Sequence, residues 1–364
     1  MKLLRILTLL LAAAAAVPPA GGCCRTPQKE TGETFVNPLL DGGGDPWATF
    51  HDGLYYYMHT LGNRIDLWVT DDITDLRNAE RKTIWKPDAP KKFQHIWAPE
   101  IHRIDGKWYV YFTADDGNTD NHRTYVLENA NPDPMKGKFS VKGKIVTDPD
   151  DNWAIDASVF RHRGTLYMVW SGWKTQRIKT ETQCIYIARM ENPWTLASER
   201  VLISQPEYDW ERRYINDDGT RLGHIVYVNE GPQPLTAPSG RRIHIAYSAS
   251  GVWTAYYCLG LLTTDADADL LDPASWSKAP QPILKQSPEN KVFCTGHNSF
   301  FPSPDGSETY ILYHARSVTA TRGHGSARSP RAQKISWDGD YPVIGEPLPL
   351  SAERPKPAGT PKKK

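Results

Sequence analysis

After its first two dozen residues the chain holds no long apolar stretch with a helical period. Its hydrophobic positions fall instead in short runs rich in Tyr, Trp, Val and Ile, bounded by turn residues, which is the pattern of β-strands. Five of these runs share the same surroundings. They are Leu54-Tyr55-Tyr56-Tyr57-Met58, Trp108-Tyr109-Val110-Tyr111-Phe112, Leu166-Tyr167-Met168-Val169-Trp170, Ile243-His244-Ile245-Ala246-Tyr247 and Tyr310-Ile311-Leu312-Tyr313-His314. A turn ending in glycine precedes each one, at Gly53, Gly106, Gly164, Gly240 and Gly306. Before each turn stands a residue able to do chemistry: Asp45, Glu100, Asp156, Glu230 and His297. Further strand-like runs follow in each copy, such as 65–70 in the first and 184–188 in the third. Copies 55 to 74 residues apart, each with several short strands, predict an all-β fold, a five-bladed β-propeller spanning residues 35–350. Two β-sandwiches would explain the strand density but not the fivefold recurrence. In a radial repeat, equivalent positions surround one axis, so the four carboxylates should meet in one pocket.

The termini read differently. Lys2 and Arg5 precede an apolar stretch from Ile6 to Val17, too short for a membrane span, so residues 1–23 read as a signal peptide. Ala20-Gly21-Gly22-Cys23 is similar to a bacterial lipobox, in which Cys23 becomes the lipidated first residue and anchors the protein to a membrane surface. Plain secretion is the alternative. Both predict export, to the periplasm, the outer membrane or the medium. Residues 24–34 read as a polar tether, and 351–364, rich in Pro and Lys, as a disordered tail.

Composition narrows the partners. With 43 basic and 42 acidic residues, the chain shows no clustered basic surface for nucleic acid. Its 13 Trp and 17 Tyr suit strands and cores, and also flat platforms for sugar rings. The internal cysteines, Cys184, Cys258 and Cys294, fit no zinc spacing and sit near apolar strands, which predicts buried thiols.

Two carboxyl groups in opposite protonation states are what hydrolysis of a glycosidic bond needs. Asp45 follows Gly42-Gly43-Gly44 and precedes Pro46-Trp47, a stiff and closely approached site that suits an ionised base. Glu230 ends the apolar run Ile225-Val226-Tyr227-Val228, where desolvation would raise its pKa and suit a general acid. Asp156, amid Ala154-Ile155 and Ala157-Ser158, could orient and tune that acid. Glu100 reads as part of the scaffold. His297 could ligate a metal or organise water, although a lone His more often serves structure. Trp97 and Arg316 are candidate substrate contacts.

These residues together resemble glycoside hydrolase family 43. The resemblance spans roughly residues 36–350 and rests on five motifs in order: Gly44-Asp45-Pro46-Trp47, His95-Ile96-Trp97-Ala98-Pro99-Glu100-Ile101, Ile155-Asp156-Ala157-Ser158, Asn229-Glu230-Gly231-Pro232 and Gly296-His297-Asn298-Ser299. It implies an inverting mechanism with Asp45 as general base, Glu230 as general acid and Asp156 tuning and orienting that acid. It implies no cofactor for the chemistry, but a water-bound cation by His297 near the propeller axis, commonly calcium. The segments 72–80 and 329–334 are similar to the α-L-arabinofuranosidase branch, which implies release of terminal arabinofuranosyl residues from plant cell-wall polysaccharides or oligosaccharides. β-Xylosidase and endo-arabinanase share the triad and stand as alternatives. A non-catalytic sugar-binding propeller is disfavoured, because all three carboxylates are present.

Overall fold

A computed structural model describes residues 32–88, 92–175, 182–215, 226–319 and 327–362. The signal peptide, Cys23 and nearly all of the tether lie outside them. The described chain is a five-bladed β-propeller. Blades 1 and 2 are four-stranded meanders, Trp47–His51 to Glu80–Trp85 and Gln94–Ile104 to Ser140–Lys144. Blade 3 runs from Ala154–His162 to Cys184–Asn192, with Thr195–Leu196 and Val201–Ser204 both on its outer side. Blade 4 spans Asn229–Thr236 to Ser277–Lys278. Blade 5 has three strands, Phe293–Pro302, Thr309–Arg316 and Ser329–Lys334.

The fourth edge of blade 5 comes from the other end of the chain. Leu39 N–H donates to the Pro330 carbonyl and Gly43 N–H to that of Arg328, while the Asn37 side chain bonds both N–H and C=O of Ala332. This clasp extends into the tail. Thr34–Phe35 pairs with Arg354–Pro355, and Lys356 bridges Glu33 and Asp72 at 3.0 and 2.9 Å. The expected disordered tail is therefore corrected. Through residue 362 it is ordered, because its backbone pairs with the N-terminal strand and Lys356 finds the Glu33 carbonyl and the carboxylates of Glu33 and Asp72.

Each blade interface has its own apolar core, and the aromatic runs supply it. Tyr109, Tyr111 and Met168 lie between blades 2 and 3, and Ile65, Leu67 and Phe112 between blades 1 and 2. Ile185 and Ile245 join blades 3 and 4, Leu259 and Ile311 blades 4 and 5, and Tyr55 and Leu312 blades 5 and 1. Fully burying one Phe or Leu of this kind is worth about 1.5–3 kcal/mol. Buried ring hydroxyls are also used across interfaces, as when Tyr111 donates to the Pro193 carbonyl and Tyr55 to that of Pro302. The three described cysteines are buried.

The glycine-ended turns occur where expected. In blades 1 to 3 both central residues have positive φ (Asp52 and Gly53, Asp105 and Gly106, Arg163 and Gly164), which marks type I′ hairpins. A second repeat lies at the other end of each inner strand. There one residue sits in the left-handed region: Asp45 (φ 59), Ala98 (φ 44), Asp156 (φ 56), Gly231 (φ 54) and His297 (φ 47). Each belongs to a bulge. The residue before it pairs with the second strand in blades 2 to 5 (Trp97 with Thr113, Ile155 with Ser171, Glu230 with Ser248, Gly296 with His314). In blade 1 the Gly44 carbonyl accepts from Thr60 N–H. Pairing resumes two residues after the bulge, at Trp47, Glu100, Ser158, Gln233 and Ser299. The extra residue at this position re-aims the side chains there, as bulges do, and blades 2 and 5 carry a second bulge before it.

This register corrects the assumed equivalence of the five chemical residues. Asp45, Asp156 and His297 share the bulge position. Glu100 lies two residues deeper, and Glu230 one residue further out.

Candidate active site

At the bulge of blade 1, Asp45 is 9% exposed and fully engaged. Its Oδ1 accepts from Arg328 Nη1 at 2.6 Å, and its Oδ2 from Thr60 Oγ1 at 2.7 Å. Thr60 Oγ1 in turn accepts from Ala98 N–H at 2.8 Å, tying Asp45 to the blade 2 bulge. Asp45 N–H donates to His314 Nδ1 at 3.1 Å, so that imidazole carries its proton on Nε2. His297 Nδ1 lies 3.4 Å from Asp45 Oδ1. Burial alone would raise the Asp45 pKa. Arg328, His297, His314 and the Thr60 hydrogen bond together outweigh it and hold the carboxyl well below the usual range. Burial also keeps His297 and His314 below their ordinary values, so near neutral pH the working positive charge is that of Arg328.

Glycine explains how Arg328 gets so close. A Cβ on Gly44 would lie 2.4 Å from Arg328 Cζ, so only glycine leaves room for the guanidinium against the backbone before Asp45.

Across the axis, Glu230 has the opposite surroundings. It is partly exposed, and its Oε1 accepts from the Tyr257 hydroxyl at 2.7 Å. Enclosure raises its pKa to about 7; Asp45's charge adds to this, while the Tyr257 hydrogen bond and Arg328 oppose it. Tyr257 is itself positioned by stacking on His314, with ring centroids 5.5 Å apart and planes 2° from parallel. Asp156 is 5% exposed, and its Oδ2 accepts from Gly231 N–H at 3.0 Å, next to Glu230. Burial first, and then the charges of Glu230 and Asp45, push its pKa well up. Two such neighbouring carboxyls titrate as one unit.

Of the other expected site residues, Trp97 is partly exposed and stacks on His122 at 3.9 Å. His297 reaches both Asp45 and, at 4.0 Å, Asp156 Oδ2. Glu100 lies beneath the carboxylates, 3% exposed, bonded to Gln233 Nε2 and 3.0 Å from His102 Nε2. Arg316 is the correction. It is 3% exposed, and its Nη2 donates to the Val252 and Thr254 carbonyls at 2.9 and 2.6 Å. It therefore braces a loop, and the arginine that pairs with Asp45 is Arg328. Sequence reading missed Arg328 because it precedes the last blade strand in a Gly/Ser/Arg-rich stretch with no strand pattern. Thr60 and Tyr257 also went unnoticed, and no spacing signal marks them.

Comparison with known proteins fits this geometry. The model of Glycosyl hydrolases family 43 matches residues 35–342.

The chain belongs to glycoside hydrolase family 43. Within that family it is similar to an extracellular exo-α-(1→5)-L-arabinofuranosidase of Streptomyces avermitilis, 38% identical over 86% of this chain and 64% of that protein. The chain thus spans slightly less than two thirds of that relative. The protein of the same name from Streptomyces chartreusis is 37% identical over 78% of this chain and 82% of its own length. Among solved structures, an α-L-arabinofuranosidase from Lactobacillus brevis superposes with a TM-score of 0.78 at 37% identity, covering 87% of this chain and 98% of that one.

Proposed function

We propose that this family 43 member is an exported α-L-arabinofuranosidase that releases terminal arabinofuranosyl residues from arabinan or related plant polysaccharides with inversion. The observation that carries this reading is the opposed setting of two carboxyls in one pocket. Asp45 is held ionised by Arg328, and Glu230 is raised to about 7 by enclosure. Relatives at 37–38% identity that bear the arabinofuranosidase name support the sugar.

In this mechanism Asp45 takes a proton from water as the water attacks the anomeric carbon. Glu230 donates its proton to the departing glycosidic oxygen. Tyr257 holds Glu230 through Oε1, leaving the other oxygen for the proton. Asp156, bonded to Gly231 N–H, fixes the backbone that carries the acid and titrates together with it. After turnover Glu230 is ionised and Asp45 protonated, and exchange with solvent resets both.

No cofactor is needed for these steps. A hydrated cation beside His297 belongs to the same proposal, in a structural part. Among the described residues no group of three or more His, Cys, Asp or Glu side chains could hold a metal ion, so His297 would bind with water as the remaining ligands. The neighbouring Asn298 has both side-chain polar atoms buried without a protein partner, which suits such a wet site. Export follows the extracellular relatives and the leader-like residues 1–23, with Cys23 as a lipid attachment point.

The test pairs a panel of aryl α-L-arabinofuranosides and β-D-xylosides with NMR of the first-formed anomer. Release of β-L-arabinose from the arabinofuranoside is the expected result. Preferential xyloside cleavage would overturn the substrate, and an α-anomer product the mechanism. Inversion also requires the two carboxyls to stand about 6.5–9.5 Å apart, leaving room for water.

A further inference from the structure

The five inner strands continue outward past the carboxylates, and the same register shows what each presents there. Three residues before each bulge position stand Gly42, His95, Trp153, Val228 and Cys294. Gly42 has no side chain. Trp153, Val228 and Cys294 are 6%, 1% and 0% exposed. His95 alone of the five offers an open polar side chain, 44% exposed. A terminal sugar bound among Asp45, Asp156 and Glu230 must leave the pocket through this level, so whatever is attached to it passes His95.

The imidazole is also prepared for contact. Its Nδ1 lies 2.9 and 2.8 Å from the two oxygens of Asp115, a fully buried carboxylate. Asp115 further accepts from Gly117 N–H at 2.8 Å and pairs with His122 Nδ1 at 3.2 Å. That arrangement fixes the ring and leaves Nε2 toward the solvent side. His122 closes the cluster, placing one ring nitrogen 3.1 Å from the His95 carbonyl while stacking under Trp97. The Trp97 and His95 rings are 6.1 Å apart. A half-exposed indole face beside an oriented imidazole nitrogen is the combination a pyranose or furanose ring needs, one for its apolar face and one for a hydroxyl.

Backbone geometry supports the same conclusion. His95 and Cys294 both occupy the left-handed region, at φ 46 and φ 55. Cys294 is buried there, and its thiol donates to the Val252 carbonyl at 3.1 Å. Both lie in a second bulge of their inner strands, between Gln94 and Trp97 and between Phe293 and Gly296, and in blade 2 this bulge presents the open His95 above the site, as bulges re-aim side chains.

We infer that His95, oriented by Asp115, is a specificity-determining residue that receives the second sugar, the one on the leaving-group side of the scissile bond. This rests on the arabinofuranosidase reading and deepens it. The experiment compares α-1,5-linked arabinobiose, which has a second sugar, with 4-nitrophenyl α-L-arabinofuranoside, which has none. His95→Ala should lower kcat/KM on arabinobiose at least tenfold, mainly through KM, and on the aryl glycoside less than twofold. His95→Gln should recover part of the loss, and Asp115→Asn should reproduce it in weaker form. An equal loss on both substrates, or unchanged arabinobiose kinetics, overturns the inference. A wild-type enzyme inert on both substrates overturns the activity on which it rests.

Discussion

Blades 1 and 4 bring the same backbone to the axis and opposite chemistry. Each inner strand bulges at one position and resumes pairing two residues later. In blade 1 the bulge residue is the carboxylate itself, Asp45, ringed by Arg328, Thr60 and two imidazoles. In blade 4 the bulge residue is Gly231, the carboxylate is one residue further out, and its single described side-chain hydrogen bond comes from Tyr257. A one-residue offset on a common frame thus separates a carboxyl whose pKa is raised from one whose pKa is lowered. The frame fixes position, whereas the neighbours decide which group keeps a proton.

The largest effect should come from removing either partner. Asp45→Asn keeps an acceptor for Arg328 but cannot take a proton. It should lower kcat by about 10²–10⁴, the usual worth of a positioned acid or base, with the melting temperature nearly unchanged. Glu230→Gln should lose as much on arabino-oligosaccharides and far less on an aryl glycoside whose leaving group departs unaided; equal losses would remove its claim to be the acid.

Next in size are the changes that make blade 1 resemble blade 4. Gly44→Ala drives a methyl into Arg328 and should cost about 1–3 kcal/mol of stability together with much of the activity. Arg328→Gln removes the cation that holds Asp45 ionised. The Asp45 pKa then rises, so the acidic limb of the kcat/KM profile should move to higher pH. An unmoved limb would show that Arg328 does not govern the base.

The smallest effect probes the acid. Glu230 must be protonated to act, so kcat/KM should fall as pH rises through about 7. The Tyr257 hydrogen bond favours the ionised form. Tyr257→Phe should therefore raise the Glu230 pKa and shift this alkaline limb upward, measurably but by less than one pH unit.

The propeller was legible in the chain because its repeat is carried by strong local signals, glycine-ended turns and aromatic strands. The carboxylates of the site were legible too, since each sits at a fixed place in that repeat. Their offsets were not, because a bulge adds one residue without leaving a fixed residue type: Asp, Ala, Asp, Gly and His all occupy it. Arg328 escaped for a different reason. Its role depends on a contact 283 residues away in sequence, made possible by a missing side chain at Gly44. The ordered tail was misread on composition, since Pro and Lys favour disorder only until Lys356 finds Glu33 and Asp72.

The seam where the ring closes has a consequence for biosynthesis. The strand edge that joins the first residues of the propeller to blade 5 ends at the Gly43–Arg328 hydrogen bond, two residues before Asp45. Closing the circle and giving Asp45 its cation are therefore a single event. A nascent chain on the ribosome carries Asp45 from early on without its counter-cation, and a product truncated before blade 5 is complete never acquires it. The Asp45–Arg328 pair thus reports that the chain has been made and folded through the start of the last blade strand.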